Sequence, residues 1–378
     1  MSVSIKEVAT RQDMEAFVRF PHTLYDKNPF WAPSLIKDEL HTLNPLLNPA
    51  FDNNRAKLWL AYRDGKIAGR IAGIMNHKHQ QKSRRTYARF GWIDFIDDFD
   101  VSGMLLSTVE KWAMKHRMKA VYGPLGFTDF DPEGLLINGY DKPGVMSTIY
   151  NFPYYIEHLL HHAYQKDLSW TEYEVEIPFS VPERISRLAR YVEERNNLQV
   201  MHFENTSELL GCIDEIFRLI NKSYKNLQGL SRLGDRDVNF YLDQIFSFID
   251  PDFISIIADS NERIVAFAIT MPSLTSALRK SGGKLFPFGW FYFYQAFKRN
   301  STADLYLMAI HPDLRNKGVS AVLVDDLIRK FNKHRITRAV THPIFEKNDG
   351  MLNFWKHFRS AEFRKRCCFV KELTAVTG

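Results

Sequence analysis

Residues 303–320 have the sequence ADLYLMAIHPDLRNKGVS. The first part is mostly apolar and predicts a strand that ends near Ile310. Pro312 ends strand pairing because proline has no backbone N–H to donate. From Val319 toward Phe331, apolar residues recur at the spacing of a helix, with charged residues between them. The stretch therefore predicts a strand, a short loop and a helix in direct succession.

The loop between that strand and that helix is basic and contains Gly318. A loop that leads into a helix places unpaired backbone N–H groups beside the positive end of the helix dipole. Such a place binds phosphate, and Arg315 and Lys317 add positive charge. A glycine also lets the backbone approach a ligand closely. The alternative is an ordinary turn between a strand and a helix, with a solvated basic face.

The segment from Arg315 to Ser320 resembles the pyrophosphate-binding loop of the GNAT superfamily of acyltransferases. In that family an Arg/Gln-x-x-Gly-x-Gly/Ala pattern follows a strand that ends in hydrophobic-x-Pro, as Ile310 and Pro312 do here. Ser320 stands where the family usually has Gly or Ala. The resemblance implies that the substrate is acetyl-CoA or a longer acyl-CoA, whose pantetheine arm pairs with the backbone of Met308 and Ile310. The loop residues implied to bind the pyrophosphate are Arg315, Asn316, Lys317, Gly318, Val319 and Ser320.

Residues 348–358 resemble a second part of the same family, a helix that follows an Asn and carries aromatic side chains along the cofactor arm. The resemblance implies that Asn348 and Trp355 line the cofactor site. Trp355 stands where many members have a tyrosine that protonates the departing thiolate. An indole N–H donates a hydrogen bond but is not a usable acid. The usual general acid is therefore absent here or supplied by another residue.

The chain contains an internal repeat. A hairpin pattern at residues 58–73 recurs at 254–270, with Ile67 and Ile264 at equivalent places (264 − 67 = 197). The same offset relates Asn151 to Asn348 (348 − 151 = 197), and each is predicted to open a helical segment. Each copy has the predicted order strand, helix, two hairpin strands, a third strand, helix, strand, helix and strand. This predicts a mixed α/β (α+β) fold with two tandem GNAT-like domains, each a largely antiparallel twisted sheet flanked by helices. The predicted domains are 1–178 and 179–378.

The first copy has no counterpart of the basic loop. At the equivalent place, residues 90–102 contain four aspartates and neither Arg nor Lys. These carboxylates would repel a pyrophosphate. We therefore predict that the first copy is a degenerate domain that shapes the acceptor pocket. The resemblance implies transfer of an acyl group to an amine, or less often to a hydroxyl, in the cleft between the two copies.

An acidic loop of the first copy supplies the candidate catalytic residues. An ammonium acceptor must lose a proton before it attacks a thioester, so the reaction needs a base. Asp129, Asp131 and Glu133 follow a predicted strand whose end should face the cleft. We predict that they act as base or as ammonium anchor. Two alternatives are a solvated acidic turn and a calcium loop, although position twelve of such a loop would be Tyr140 instead of Glu.

Residues 286–297 are unusually aromatic and have basic residues on both sides. Three interpretations are open. The segment packs between the two copies, it forms a pocket for an apolar acyl chain, or it contacts a membrane surface.

Composition limits the remaining choices. The formal net charge is +6, which favours anionic partners, but no zinc-finger spacing or long basic run indicates nucleic acid. No stretch approaches the roughly 18 apolar residues of a membrane-spanning helix, and the N-terminus lacks an apolar signal core, so a cytoplasmic location is expected. The cysteines are expected to be reduced. His158 and His162 share a helix face, but without an accompanying carboxylate motif a polar role is favoured over a metal site.

The leading hypothesis is thus an acyltransferase with a small-molecule or lipid-like acceptor and no metal. Two alternatives remain. One is a non-catalytic binding module with a GNAT fold, which the tryptophan at the acid position motivates. The other is an aminoacyl-tRNA-dependent transferase of the peptidoglycan-bridge type, although such an enzyme does not need a pyrophosphate loop.

Overall fold

In the computed structural model, the strands of the chain form one large sheet, and helices cover both of its faces. The structure describes residues 2–76, 86–128, 130–146, 148–223, 234–245, 249–355 and 358–373. The strands are β1 (Val3–Glu7), β2 (Asn54–Arg63), β3 (Lys66–Asn76), β4 (Tyr87–Phe95), β5 (Ala120–Gly123), β6 (Leu135–Asn138), β7 (Gln165–Glu176), β8 (Gln199–Met201), β9 (Ile254–Ala258), β10 (Ile264–Pro272), β11 (Thr302–Ile310), β12 (Arg338–Thr341), β13 (Ile344–Phe345) and β14 (Ser360–Glu372).

The helices fall between these strands in the predicted order. They are α1 (Arg11–Leu24), α2 (Ile36–Thr42), α3 (Phe99–Lys115), α4 (Tyr154–His161), α5 (Glu183–Asn196), α6 (Thr206–Gly211), α7 (Ile213–Ser223), α8 (Asp235–Ile245), α9 (Thr275–Ser281), α10 (Gly289–Lys298), α11 (Val319–Lys333) and α12 (Asp349–Trp355). Local signals explain several of the ends. Thr10 and Asp13 form a capping box at the start of α1, and Asn205 caps α6.

The sheet is pseudo-symmetric about its centre. Its strand order is β1-β2-β3-β4-β5-β14-β7-β12-β11-β10-β9-β8. Pairing is antiparallel except between β4 and β5 and between β11 and β12, which occupy equivalent places in the two halves. The predicted repeat and the mixed, largely antiparallel sheet are therefore confirmed.

The two copies exchange strands at the centre of the sheet. β7, from the first half of the chain, pairs with β12 of the second copy, while β14, from the end of the chain, pairs with β5 of the first. β7 and β14 also pair with each other. The connection at residues 177–182 lies just after β7, so the predicted boundary near residue 178 falls in a linker. The limits of the two domains nevertheless stay a prediction, because each sheet includes a strand from the other half.

A buried ionic group lies where the exchanged strands meet. Glu172 of β7 faces Arg364 and Arg366 of β14, and all three side chains have no solvent exposure. The two arginines approach the two carboxylate oxygens to 2.9 and 2.5 Å respectively. Burial opposes ionisation of Glu172, but the two guanidinium groups outweigh it and lower its pKa. A buried charge without a partner is very unfavourable, so this group fixes the register of the two strands.

Helices cover both faces of each half. In the second copy, α5 and α11 pack together on one face through Ala189, Val192 and Val322, while α6, α7 and α8 cover the other face. α5 therefore belongs to the second copy. α6 and α7 are two separate helices, with the break between them at Cys212. Within the described residues, no helix is both long and apolar enough to cross a bilayer.

Two local features, Asn151 and the cysteines, can be compared with their predictions. Asn151 does not open a helix, since α4 begins three residues later and the Asn151 side chain instead bonds the backbone N–H of Leu136 at 2.7 Å. The cysteines are free, as expected. Cys367 and Cys368 lie in separate apolar clusters, because successive side chains of a strand point to opposite faces.

Separate expression of residues 1–178 and 179–378 tests the strand exchange. We expect neither half alone to unfold cooperatively, because β5 and β12 would each lose the strand that pairs with them. Coexpression should give an equimolar complex that copurifies through a tag on either half. The control is a second half that stops at residue 358 and so lacks β14, which should not copurify. A stable, cooperatively folded half on its own would contradict the exchange.

Candidate functional site

β11 and β12 separate from each other part-way along their length. They pair in parallel only from Thr302 to Leu305, and β11 then continues alone on that side to Ile310. The pairing of β11 with β10 shifts register at the same point, which places an extra residue, Tyr306, in β11. The backbone of residues 306–310 therefore faces a gap between the strands. Met308 and Ile310, the two predicted contacts of the pantetheine arm, lie on this stretch.

The predicted pyrophosphate loop lies at the end of that gap. A short turn at Pro312–Leu314 follows β11, and α11 begins at Val319. Asn316 and Gly318 both have positive φ, 59° and 82°, which turns the chain into the helix. Arg315 is held in place because its guanidinium donates to the backbone oxygen of Ser223 at the end of α7. The backbone N–H of Ala321 donates to the oxygen of Gly318 at 2.9 Å. Val319 and Ser320 precede it at the start of α11, where backbone N–H groups lack intrahelical acceptors and can bind an anion.

Gly318 has a structural reason that the sequence did not reveal. A Cβ atom at this position would lie 2.9 Å from Cγ2 of Val192 on α5. The absence of a Cβ at residue 318 therefore allows α5 to pack closely against the loop. This requirement for glycine is independent of any phosphate. The positive φ of Gly318 is a second reason, because residues with a Cβ rarely adopt it.

An apolar pocket extends from the gap along α11. Leu305, Met308, Val324, Leu327, Trp355 and Phe358 are among its lining residues. Its volume is about 30 Å³, which is room for one or two waters. A pantetheine arm is far larger, so the pocket must widen to admit one.

Asn348 precedes α12 and Trp355 is its last residue. Their role in binding the cofactor stays a prediction. Trp355 is 6% exposed, and its Nε1 has no acceptor among the described residues. The Oδ1 atom of Asn348 accepts from the backbone N–H of Met351 at 3.3 Å and so caps the helix. Trp355 thus presents an unused donor beside the pocket, whereas Asn348 has a clear structural role.

Asp304 is a site residue that the sequence analysis missed. Strand alternation places it on the face of β11 opposite to Ala303 and Leu305, which pack with α11. It is 4% exposed, and neither carboxylate oxygen has a hydrogen bond of good geometry among the described residues, although the Ser273 side chain lies close enough to act as a weak donor. Burial raises the pKa of Asp304 to about 7, against the opposing effects of the Ser273 hydroxyl and the Arg364 charge. A buried carboxyl group with this pKa is typical of functional sites.

The surroundings of Asp304 come from both copies. Arg364, on the exchanged strand β14, is close enough to influence its charge, and the guanidinium of neighbouring Arg366 donates to the backbone oxygen of Ile149 in the first copy. The Thr275 hydroxyl, at the start of α9, donates to the oxygen of Gly144, also in the first copy, at 2.7 Å. Gly144 and Ile149 of the first copy therefore lie against this side of the second copy.

The first copy has the same strand geometry but no open anion site. β4 and β5 pair only from Tyr87 to Arg89, but the gap beyond is filled because the oxygen of Leu125 would lie 2.5 Å from a Cβ at Gly91. At the helix that follows, the Asp98 carboxylate accepts from the backbone N–H groups of Asp100 and Val101. The amides that would bind a phosphate in α3 are thus already occupied by a carboxylate of the chain itself.

The acidic loop lies at the contact between the copies. The ring of Phe130 packs against that of Tyr241 in α8, with the ring centroids 5.2 Å apart and the planes tilted by 37°. The Asp131 carboxylate is buried and accepts from the N–H of Thr128 at 2.9 Å, and Glu133 is half-buried near Cys368. Asp129 lies outside the described residues. The catalytic role of these three residues stays a prediction.

Two other sequence features have clear positions. His158 bonds Asp97 at 2.9 Å and Ser102 at 2.8 Å, so it joins α3 to α4. Only part of the aromatic segment 286–297 packs in the core between the copies. Its inward side chains Phe293 and Ala296 are buried, but most of its large aromatic side chains are exposed.

Comparison with known proteins agrees with this geometry. Residues 213–358 match the acetyltransferase (GNAT) family, a region that includes the separated strands, the basic loop and α12. A solved structure described as a tandem GNAT protein from the clavulanic acid biosynthesis pathway superposes on the whole chain with a TM-score of 0.57, with 99% of each chain covered and 10% identity. The chain as a whole therefore has the fold of a tandem GNAT protein.

Other similar proteins extend the comparison. A GCN5-related N-acetyltransferase from Sphaerobacter thermophilus has a TM-score of 0.52 and 9% identity, covering 99% of this chain and 96% of that chain. Protein YghO of Escherichia coli is 25% identical, covering 98% of this chain and 95% of its own length. A protein of Caulobacter vibrioides named bacterial ceramide synthase is 23% identical, covering 76% of this chain and 74% of its own.

An Asp304→Asn variant tests the state of this carboxyl group. A carboxyl whose pKa is higher in the folded chain stabilises the fold at low pH, and that contribution is lost as pH rises through the folded pKa. The window runs from about pH 4, the ordinary unfolded value, to about 7. Across it, the free energy of unfolding of the wild type should fall relative to the variant, by at most about 1.4 kcal/mol per pH unit.

Urea denaturation at a series of pH values measures this difference. Asp64→Asn, in the exposed turn between β2 and β3, is the matched control and should show no such trend. Parallel pH curves for the wild type and Asp304→Asn would mean that Asp304 titrates normally.

Proposed function

We propose that the protein transfers an acetyl or longer acyl group from coenzyme A to an amine, or less often a hydroxyl, in the cleft between its two copies. The supporting observation is the two-sided environment of β11. One face adjoins the basic loop and the apolar pocket, and the other carries the buried Asp304. A thioester in the gap would then be accessible from both faces.

In this proposal the coenzyme lies along residues 308–320. The amides at the start of α11, together with Arg315 and Lys317, bind the pyrophosphate. The pantetheine arm pairs with the open backbone edge of Met308 and Ile310 and widens the apolar pocket. Trp355 lies beside the arm, and its free Nε1–H donates a hydrogen bond toward the sulfur.

On the opposite face, Asp304 binds and deprotonates the acceptor. The carboxylate accepts one proton from the ammonium, and the free amine then forms a bond to the thioester carbonyl carbon. The bond from that carbon to sulfur breaks, the new amide nitrogen gives up its second proton, and the departing thiolate takes up that proton. A carboxyl group with a pKa near neutrality is suited to this exchange, because it is available in both protonation states. Asp129, Asp131 and Glu133 remain candidates for the same role or for anchoring the ammonium.

The proposed acceptor is a small or lipid-like molecule. A relative is named bacterial ceramide synthase, which supports acyl transfer in a lipid context. The exposed aromatic segment 286–297 is available for contact with a membrane surface. As the sequence predicts, we place the reaction in the cytoplasm, with the first copy, residues 1–178, on the acceptor side.

Arg315→Glu tests the coenzyme site. Reversing this charge beside the phosphates should weaken coenzyme A binding by about 100-fold or more, roughly 2.7 kcal/mol, in isothermal calorimetry. Lys66→Glu makes the same charge change at an exposed turn of the first copy and should leave affinity unchanged. Since Arg315 also bonds Ser223, a thermal melt must show that the variant is folded. Unchanged affinity in a folded Arg315→Glu protein would count decisively against the proposal.

Asp304→Asn tests the acceptor site. We expect kcat for thioester consumption with an amine acceptor to fall by a factor on the order of 10² to 10⁴, the usual contribution of a general base. Affinity for coenzyme A should not change, because Asp304 lies on the opposite face of β11. Asp64→Asn is again the matched control. Wild-type kcat/KM should rise with pH through about 7 as Asp304 ionises. An Asp304→Asn variant of full activity would transfer the role to the acidic loop.

The non-catalytic alternative gives a different result in the same assays. Trp355 in place of an acid favours it. Tight coenzyme A binding by the wild type without turnover of any amine or hydroxyl acceptor would support it, whereas thioester consumption would exclude it.

A further inference from the structure

The hairpin of α9 and α10 has two very different faces. Its inner face is fixed to both copies. Leu278 and Phe293 pack with Leu35 of the first copy and Met271 of the second. The backbone N–H of Ile36 donates to the oxygen of Gly283 at 3.1 Å. The hairpin is therefore held firmly across the contact between the copies.

The outer face is aromatic and exposed. Of the fourteen large apolar side chains that are exposed in the described part of the chain, five lie within residues 286–294. They are Phe286 (79% exposed), Phe288 (72%), Trp290 (55%), Phe291 (45%) and Tyr294 (57%). So dense a group on one surface indicates a binding site and not the scattered exposure usual in proteins.

Positive charge surrounds this aromatic face. Residues 273–300 contain five basic residues and no acidic one, so they hold a charge of +5, against +6 for the whole chain. All five basic side chains are exposed: Arg279, Lys280, Lys284, Lys298 and Arg299. Lys280 also lies over the ring of Tyr292 at 5.9 Å. The surface therefore combines aromatic groups suited to the boundary between lipid and water with a charge that attracts acidic headgroups.

We propose that this outer face, residues 284–299, docks the protein on an anionic lipid bilayer. Phe286, Phe288 and Trp290 enter the interface, and the basic residues contact the headgroups. A second copy of the chain is a poorer occupant, because two such faces in contact would oppose like charges. Docking does not depend on the acyl-transfer reaction.

The position of the hairpin gives docking a consequence for the proposed acceptor. Ser273 leads from β10 into the hairpin, and Met271 is paired with Asp304 across the strands. Tyr306, beside the gap, packs against the inner side of the hairpin. A bilayer at the outer face would thus lie close to the acceptor side of the cleft, where an amphiphilic amine would enter.

Sedimentation of the full-length protein with vesicles tests the proposal. The wild type should sediment with vesicles that contain phosphatidylglycerol, less with phosphatidylcholine alone, and less as salt concentration rises. The double variant Phe286→Ser/Trp290→Ser should bind at least tenfold more weakly. Phe179→Ser removes an aromatic side chain that is 91% exposed elsewhere and should bind like the wild type. Lys284→Glu/Lys298→Glu should abolish the preference for acidic lipid, and Lys66→Glu should not.

Two results would overturn the proposal. One is a wild type that does not sediment with the acidic vesicles. The surface would then fit a protein partner with an acidic groove instead of a bilayer. The other is equal binding by the wild type and the folded Phe286→Ser/Trp290→Ser variant. No acyl donor is present, so either failure leaves the proposed acyltransferase untouched, and loss of coenzyme binding leaves docking untouched.

Discussion

The exchange of β7 and β14 is the constraint on which the rest of the structure depends. Each copy completes its sheet with a strand of the other, and buried Glu172 with its two arginines fixes how these strands align. A slip of one residue would move every side chain to the other face and separate the buried charges. Because the exchange joins the two halves into one sheet, Arg364 is held near Asp304.

β11 carries the candidate site residues of the second copy on the sheet that the exchange completes. Its first half pairs on both sides and carries Asp304 on one face. Its second half has a free edge toward the gap that leads to the basic loop. The extra residue, Tyr306, lies where β11 stops pairing with β12 and its edge becomes free. A strand of this kind gives two opposed faces access to one point, which is what transfer between a bound thioester and a separate acceptor requires.

The two copies have the same fold. They differ in the charge at the start of the helix and in whether the gap between the parallel strands is filled. Both have parallel strands that separate and a helix that follows. In the first copy, the carboxylate of Asp98 caps the helix amides and Leu125 fills the gap, whereas in the second the loop is basic and the gap leads into an apolar pocket. In the proposed function, this asymmetry gives the second copy the coenzyme and leaves the first copy to face the acceptor.

The sequence by itself determined the repeat, the strand–loop–helix at 303–333 and the mixed sheet, because these follow from local periodicity, turn residues and spacing. It also located the predicted coenzyme segment, since a phosphate loop is a contiguous motif. Only the tertiary structure decided the strand exchange, the packing of Val192 against Gly318 and the environment of Asp304. In the sequence Asp304 is one polar residue in an apolar strand. Its burial is a property of groups brought together from distant parts of the chain, and no local pattern records it.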